Sequence, residues 1–275
     1  MRQRILFALL MMFAGLLGAA DTRWQPLAPG MELTTIAAGK QSALGDSHIN
    51  VLRIDPEKWE LAVLGISETE DARGHTAREW SRDQRFAAVI NAGMFATDYR
   101  THIGYQRSDR HVNSAHINAY QSVAAFAPKP GTKLAPFHIF DLDTPGASMK
   151  GILADYSGAV QNLRLIKAPG DNRWSQQHKQ WSEAALGEDK DGRILFIFAR
   201  TPFSMHDFNQ ELLAADIGIV AAQHLEGGPE AQLYIKVGST ELEWFGSYET
   251  GFNEQSSSAA PWPIPNVLGV RAKSD

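Results

Sequence analysis

The chain has 275 residues, of which 44% are hydrophobic and 21% are charged, an ordinary composition for a globular protein with a sizeable core. Its formal net charge is −5 and it has no long basic run, which argues against nucleic-acid binding. It has no cysteine, which excludes disulfides, a thiolate nucleophile and cysteine-bound metals.

The beginning of the chain has the pattern of a secretory signal peptide. Two arginines precede an apolar stretch over residues 5–17, and small residues follow it up to Ala20. This stretch is shorter than the roughly 20 residues that cross a bilayer, although an uncleaved anchor is the alternative. The sequence therefore predicts a signal peptide over residues 1–20, one mature domain over residues 21–275, a periplasmic location and no stable membrane insertion after cleavage.

Short apolar runs recur along the mature chain and predict β-strands. They are four to eight residues long, rich in Val, Ile and Phe, and bounded by Asp, Gly or Pro. The runs cover residues 49–54, 61–66, 86–90, 122–127, 137–140, 194–199 and 219–225. The Asp-Lys-Asp-Gly sequence at residues 189–192 predicts a hairpin turn before the sixth run.

Two segments predict helices. Thr76 is a suitable N-cap for a helix that precedes the strand at 86–90, and Ser204 is a suitable N-cap for a second helix. The second helix lies between the strands at 194–199 and 219–225, as in a crossover unit. Many strands and few helices predict an α+β fold: a mixed, largely antiparallel β-sheet core with a few packed helices in a single domain.

Two long segments, residues 96–119 and 246–265, lack clear periodicity, and long irregular loops are often functional. The first contains His102, His111 and His116, whose spacing fits no standard zinc pattern, so we predict no metal and no cofactor. The second contains aromatic side chains and Asn253, which suit sugar faces and hydroxyls. Surface connection is the alternative for both.

The strand predicted at residues 219–225 ends in Glu226, Gly227 and Gly228, with a second carboxylate at Glu230. Two carboxylates at glycosidase separations, roughly 5–9.5 Å, can act as acid, base or nucleophile. Adjacent glycines let a ligand approach the backbone closely. The alternative is a solvent-exposed turn in which the glycines serve only the chain reversal.

The strand predicted at residues 86–90 ends in a similar way, with Asn91 and Gly93. We expect the two strand ends to share one pocket, in which Asn91 binds a sugar hydroxyl or phosphate oxygen, unless it only caps a turn.

Two cationic residues are candidates for holding an anion. Arg200 follows the strand at 194–199 and can hold a phosphate through two parallel hydrogen bonds, or form a structural ion pair. His206 lies in the first turn of the helix capped by Ser204, where an anion is favoured, or is merely solvated.

Five segments, in this order, resemble the phosphodiester glycosidase domain of secreted bacterial proteins, a domain similar to the lysosomal enzyme that removes N-acetylglucosamine from a phosphodiester. They are residues 91–95, residues 182–187 before the strand at 194–199, the Ser204 helix, residues 226–228 and residues 266–270. The resemblance covers roughly residues 45–272.

The resemblance implies hydrolysis of a sugar joined through its anomeric carbon to a phosphodiester, with a sugar phosphate or glycan as substrate. Glu226 would then stabilise the sugar cation or activate water, Arg200 and His206 would hold the phosphate, and Asn91 and Asn253 would orient hydroxyls. An exopolysaccharide or envelope glycan is the expected setting.

The chain also departs from the family pattern. Glu226 replaces an Asp, Pro229 replaces a Gly, Glu230 replaces a Ser and Ala92 replaces a Gly, while an arginine expected before Ser182 is missing. A non-catalytic glycan-binding protein is therefore the second hypothesis, and a metal-dependent phosphodiesterase is the third.

Overall fold

The structure, a computed structural model, describes residues 23–39, 41–69 and 73–273. The signal peptide predicted over residues 1–20 lies outside the described residues. Within the described ranges, no helix combines the length and the apolar character that crossing a membrane requires.

The described residues form strands and helices with the following bounds. In chain order the strands are β1 Gln25–Ala28, β2 Met31–Ala37, β3 His48–Ile54, β4 Trp59–Gly65, β5 Ala88–Asn91, β6 Gln106–Arg107, β7 Val112–Ser114, β8 Ser122–Pro128, β9 Phe137–Asp141, β10 Tyr156–Asn162, β11 Arg164–Ile166, β12 Trp181–Asp189, β13 Ile194–Phe203, β14 Ile219–Gly227, β15 Gln232–Val237, β16 Thr240–Phe245, β17 Tyr248–Glu249, β18 Asn253–Glu254 and β19 Asn266–Ala272. The α-helices are α1 Ala77–Gln84, α2 Met149–Asp155 and α3 Met205–Ala214, and 3₁₀ turns occupy Ile66–Glu68 and Gly228–Glu230.

These strands are arranged in three sheets. The first has the order β1-β2-β3-β13-β12-β14-β11, with β17 and β18 attached at one end of β12. The second has the order β7-β6-β10-β8-β9, and the third β16-β15-β5-β19-β4. Every hydrogen-bonded strand pair in the described part of the chain is antiparallel.

The predicted crossover unit is present in the first sheet. β13 and β14 both pair antiparallel with β12, so they run in the same direction on either side of it, and α3 connects them. The predicted hairpin at residues 189–192 joins β12 to β13. Because β13 and β14 are parallel, both end at the same edge of the sheet as the start of β12.

One apolar core is shared by the three sheets. It contains Phe196 and Phe198 of the first sheet, Phe126 of the second and Ile90 of the third, all buried. Alternate residues of β13 face this core and, on its other side, a second cluster that includes Leu195. Burial on both faces explains the continuous apolar run in the sequence of β13.

A helix covers the outer face of each sheet. α3 packs in the cluster outside the first sheet, α1 outside the third and α2 outside the second. The predicted caps are confirmed: Thr76 forms a capping box with Glu79, and the Ser204 hydroxyl accepts a hydrogen bond of 3.1 Å from the Asp207 backbone.

The α+β class, the single domain and the seven predicted strands are confirmed. The sequence patterns missed α2 and several strands, among them β15 and β16. These two strands carry charged residues within short apolar segments, and their pairing rather than their own pattern defines them.

We predict that Phe196→Ala lowers the free energy of unfolding by about 3–5 kcal/mol, because it leaves a cavity in the core that all three sheets share. Urea denaturation measures this loss. Phe252→Ala is the matched control: its ring is 64% exposed, so its removal should change stability little, and equal losses for the two variants would contradict this account of the core.

Candidate functional site

The ends of β5 and β14 meet where the third sheet packs on the first. The Asn91 side chain connects them: its amide donates to the Glu226 backbone carbonyl at 3.5 Å, and its oxygen accepts from the Gln232 backbone N–H at 3.0 Å. Asn91 is buried. Its two bonds favour a positioning role, and direct binding of a sugar hydroxyl by Asn91 stays a prediction.

A β-bulge sets the direction of the Glu226 side chain. Two steps along β12, from Glu183 to Ala185, correspond to three along β14, from Gly227 back to His224. The extra residue interrupts the regular alternation of side chains just before the turn. The turn itself is a 3₁₀ helix that includes Pro229, a residue suited to a helical first turn but without an N–H to donate.

Two carboxylates, Glu230 and Glu249, lie close enough to Glu226 to affect its ionisation. Burial, opposed by His224 and the Gly227 N–H but reinforced by Glu230 and Glu249, raises the pKa of Glu226 to about 7. Burial and the nearby Glu249 carboxylate likewise raise the pKa of Glu230 to about 7. The Gly227 N–H donates to Glu226 Oε1 at 3.0 Å. Near neutral pH, Glu226 and Glu230 therefore each exist in both protonation states.

A buried ion pair between His224 and Glu183 lies near Glu226. His224 Nδ1 contacts Glu183 Oε1, and the other oxygen of Glu183 accepts a hydrogen bond from the Trp181 indole. Burial opposes protonation of His224, but the Glu183 and Glu226 carboxylates outweigh it and raise the pKa of His224. The sequence analysis missed both His224 and Glu183 as site residues.

The loop after β5 packs closely against Asn162 of β10. Gly93 has φ of +147°, and a Cβ there would lie 2.3 Å from Asn162 Oδ1, so only glycine fits. The Asn162 amide donates to the Ala92 carbonyl at 3.0 Å, whereas its oxygen is buried without a hydrogen-bond partner among the described residues. Burial, and to a smaller degree the Glu226 carboxylate, raises the pKa of Tyr120.

Residues 246–265 pack against the turn at the end of β14. A Cβ on Gly246 would lie 2.0 Å from the Gly228 carbonyl oxygen, and a Cβ on Gly227 would lie 2.3 Å from the Trp181 ring of β12. Gly228 has φ of +66°, and the Glu249 side chain packs beside it. Gly227 and Gly228 therefore both serve the turn, and their predicted contact with substrate stays a prediction.

Arg200 holds the same loop. Its guanidinium donates to the carbonyl of Phe245 at 2.6 Å and to the carbonyls of Ser256 and Ser258 at 2.9 and 3.3 Å. These bonds commit much of its donor capacity to the backbone, so they favour loop positioning over the phosphate binding predicted for Arg200.

His206 and Asn253 also lie at this edge of the first sheet, each on a different element. His206 follows the end of β13, two strands from β14 and so roughly 10 Å away, and its Nδ1 contacts the Asp207 carboxylate at 3.2 Å. Asn253 is paired with Glu249 across β17 and β18, next to the carboxylates. Their substrate contacts stay predictions.

The histidines of residues 96–119 are separated by their contacts. Burial lowers the pKa of His102 to about 4, and its Nε2 contacts the Gln161 carbonyl. His111 contacts Ser67 instead. Across residues 23–39, 41–69 and 73–273, no three His, Asp or Glu side chains come together in a way that can hold a metal ion.

Comparisons with known proteins bear on this edge of the molecule. The sequence profile of the phosphodiester glycosidase family matches residues 84–271, a range that includes β5, the bulge in β14 and the loop held by Arg200. No protein of curated function matches the chain.

Three solved structures share the fold at low sequence identity. The auto-inhibited catalytic domain of zebrafish N-acetylglucosamine-1-phosphodiester alpha-N-acetylglucosaminidase has a TM-score of 0.62 and 12% identity, over 93% of this chain and 87% of that one. A hypothetical protein from Synechocystis has a TM-score of 0.59 and 16% identity, and the match covers 93% of this chain but only 64% of that one. A putative exported protein from Burkholderia pseudomallei has a TM-score of 0.52 and 12% identity, over 81% and 73% of the two chains.

We predict that Glu226→Gln combined with Glu230→Gln makes the fold less sensitive to pH. Because the native carboxyls keep their protons up to about pH 7 and the unfolded ones lose theirs near 4.5, the native state loses stability as pH rises between these values. Relative to the wild type, the double variant should therefore gain roughly 2 kcal/mol in free energy of unfolding between pH 5 and pH 8, after allowance for solvent screening. Urea unfolding at the two pH values tests this, with exposed Glu57→Gln as a control; parallel curves for wild type and double variant would refute it.

We also predict that Glu183→Gln lowers the pKa of His224, because it removes the carboxylate that stabilises the imidazolium. A titration of the His224 ring by NMR measures this change. His138, which contacts the Glu188 carboxylate at 3.0 Å in a separate pair, serves as the internal reference and should titrate as in the wild type.

Proposed function

The chain belongs to the phosphodiester glycosidase family, and we propose that it hydrolyses the bond between the anomeric carbon of a sugar and the oxygen of a phosphodiester. The observation that carries the proposal is the pair of carboxyls, Glu226 and Glu230, with pKa values near 7 at the strand end that the family profile includes. Carboxyls with strongly raised pKa values are candidates for acid–base chemistry.

In the proposed reaction, the anomeric C–O bond breaks and its electron pair leaves with the phosphate oxygen. A phosphate monoester is a weak base, so it needs less protonation on departure than an ordinary alcohol. The larger demand is stabilisation of the positive charge that develops on the sugar ring. Water then supplies the oxygen on the anomeric carbon, and its proton passes to a base.

We assign the base to Glu226. A carboxylate whose conjugate acid has a pKa near 7 is a stronger base than an ordinary carboxylate and remains largely ionised above neutral pH. The negative charge also lies where it can stabilise the developing sugar cation. His224, paired with Glu183, lies close enough to Glu226 to favour its ionised form.

Glu230 is suited to the phosphate side of the bond. In its protonated form, which its raised pKa maintains up to about pH 7, the carboxylic acid can donate a hydrogen bond to a phosphate oxygen. His206, in the first turn of α3, supplies a second donor at that edge when it is protonated. Arg200 then acts indirectly, because its bonds fix the loop that covers the turn.

The loop of residues 246–265 supplies the surface for the sugar and its extension. Phe252 and Trp262 are exposed aromatic side chains with ring centroids 6.2 Å apart, and Asn253 lies between them in sequence. The Trp262 carbonyl accepts from the Gln232 amide, which ties this part of the loop to the site. Aromatic faces and an amide are suited to sugar rings and hydroxyls.

The signal-peptide pattern at the start of the chain supports a periplasmic location for this activity. A periplasmic enzyme of this type would act on exopolysaccharide or envelope glycans that contain sugar phosphodiesters. The sugar named in the zebrafish relative, N-acetylglucosamine, is the first candidate to test.

The test is hydrolysis of the methyl phosphodiester of N-acetylglucosamine 1-phosphate, with parallel substrates built on other sugars, in water labelled with oxygen-18. We expect release of reducing sugar with the label on the sugar and none on the phosphate, because the C–O bond breaks. Glu226→Gln should reduce turnover at least a hundredfold while keeping the fold. Wild-type turnover should be highest near pH 7 and fall on either side, because Glu226 must be ionised and Glu230 protonated.

Exposed Glu57→Gln is the matched control and should keep full activity. Label on the phosphate, or loss of activity on chelation, would indicate a metal-dependent phosphodiesterase instead. Undiminished turnover in Glu226→Gln would remove the assignment of the base.

A second candidate function is glycan binding without hydrolysis, and specific observations favour it. Pro229 removes a backbone donor from the turn, and Arg200 is bonded to the loop rather than available to a phosphate. Calorimetry with N-acetylglucosamine 1-phosphate, run beside the turnover assay, separates the two functions. Binding that weakens in Phe252→Ala, without turnover of any substrate in the panel, would support the binding protein.

A further inference from the structure

A second concave site lies at the other end of the third sheet. A cavity of about 700 Å³ is lined by side chains from α1, β15 and β19 and by the residues between α1 and β5. Its basic lining residues are Arg78, Arg82, Arg85, Lys236 and Arg271, and Glu241 is its acidic one. This accumulation of cations contrasts with the net charge of −5 of the whole chain.

Some of these cations are already paired. Arg78 forms salt bridges with Glu241 and Glu243, and Lys236 forms one with Glu241 at 2.9 Å. These bonds hold the side chains in place on one wall of the cavity and leave that wall with little net charge.

Arg85 and Arg271 are different, because neither has an ion-pair partner among the described residues. Arg271 lies over the Phe86 ring, 4.8 Å from its centroid, and its Nε atom is buried without a hydrogen-bond acceptor. A buried guanidinium N–H without an acceptor is costly unless a ligand or water supplies one. Arg85 is exposed at the end of α1, directly before Phe86.

The cavity is separate from the candidate active site. The chain runs from Ala87, in the cavity wall, through β5 to Asn91 at the site, a distance of about 13 Å for four steps of extended chain. β15 and β19 each connect the same two ends of the sheet. A ligand in the cavity therefore does not contact Glu226, although one long polymer can occupy both places.

We propose that this cavity binds an anionic saccharide, whose carboxylate or phosphate groups pair with Arg85 and Arg271. The guanidinium groups offer planar forks that match both kinds of anion. The aromatic rings in the lining are buried, and the cavity wall presents mainly cationic and polar groups, which suits a hydrated anionic saccharide better than a membrane surface. The exposed large hydrophobic side chains of the described residues all lie outside this cavity, so it offers nothing to insert into a bilayer.

The test is calorimetry of the full mature chain with three probes: hexagalacturonate, a phosphorylated pentamannose, and vesicles of phosphatidylglycerol. We expect at least one of the two saccharides to bind, with an affinity that falls as salt is raised. Arg85→Gln combined with Arg271→Gln should weaken that binding at least tenfold. Arg85→Gln alone should weaken saccharide binding about threefold. Because Arg85 is exposed, this single variant keeps the test valid if the double variant fails to fold.

Lys133→Gln combined with Arg173→Gln is the control, since it makes the same change in net charge at exposed positions outside the cavity and should leave binding unchanged.

The galacturonate and mannose phosphate arms distinguish carboxylate from phosphate recognition. Binding of neither saccharide, equal weakening in the control, or binding of vesicles alone would overturn the proposal. Hydrolysis of a small phosphodiester should stay within twofold of wild type in every variant, so failure here is separable from failure of the proposed hydrolysis.

Discussion

The packing of three sheets around one apolar core determines where the polar groups of the site can lie. Phe196, Phe126 and Ile90 come from different sheets, and their common burial fixes the sheets relative to one another. Strand ends from the first and third sheets then meet at one edge, and Asn91 joins them through hydrogen bonds to the backbone of Glu226 and Gln232. The carboxylates are thus held by the fold rather than by a flexible loop, which is what precise acid–base chemistry requires.

The site brings several carboxylates together where burial disfavours their ionised forms. Burial raises the pKa of Glu226 and of Glu230, and neighbouring carboxylates add to this effect. The compensating cation is His224, which is itself held by Glu183 on the far side. A site of this kind suits a reaction in which positive charge develops on the substrate. The bulge in β14 provides the place for the Glu226 side chain.

The sequence predicted those parts of the structure that depend on local pattern. The apolar run of β13, the caps at Thr76 and Ser204, and the polar turns after β5 and β14 are each visible within about ten residues. Long-range partners were not visible. Glu183 belongs to β12, a strand that the apolar runs did not predict, and its contact with His224 spans 41 positions. Arg200 was placed correctly at a strand end, but its acceptors are carbonyls 45 to 58 residues away, and sequence spacing gives no sign of them.

The extra residue in β14 also affects how such a site can evolve. A bulge absorbs a local change of backbone while the neighbouring paired residues keep their register, as those of β12 and β14 do from Ala221 to His224. The side chain at the bulge, that of Glu226, can therefore be lengthened, shortened or replaced with little consequence for the core. Divergence of specificity can thus proceed by single substitutions at this position, ahead of any change elsewhere in the scaffold.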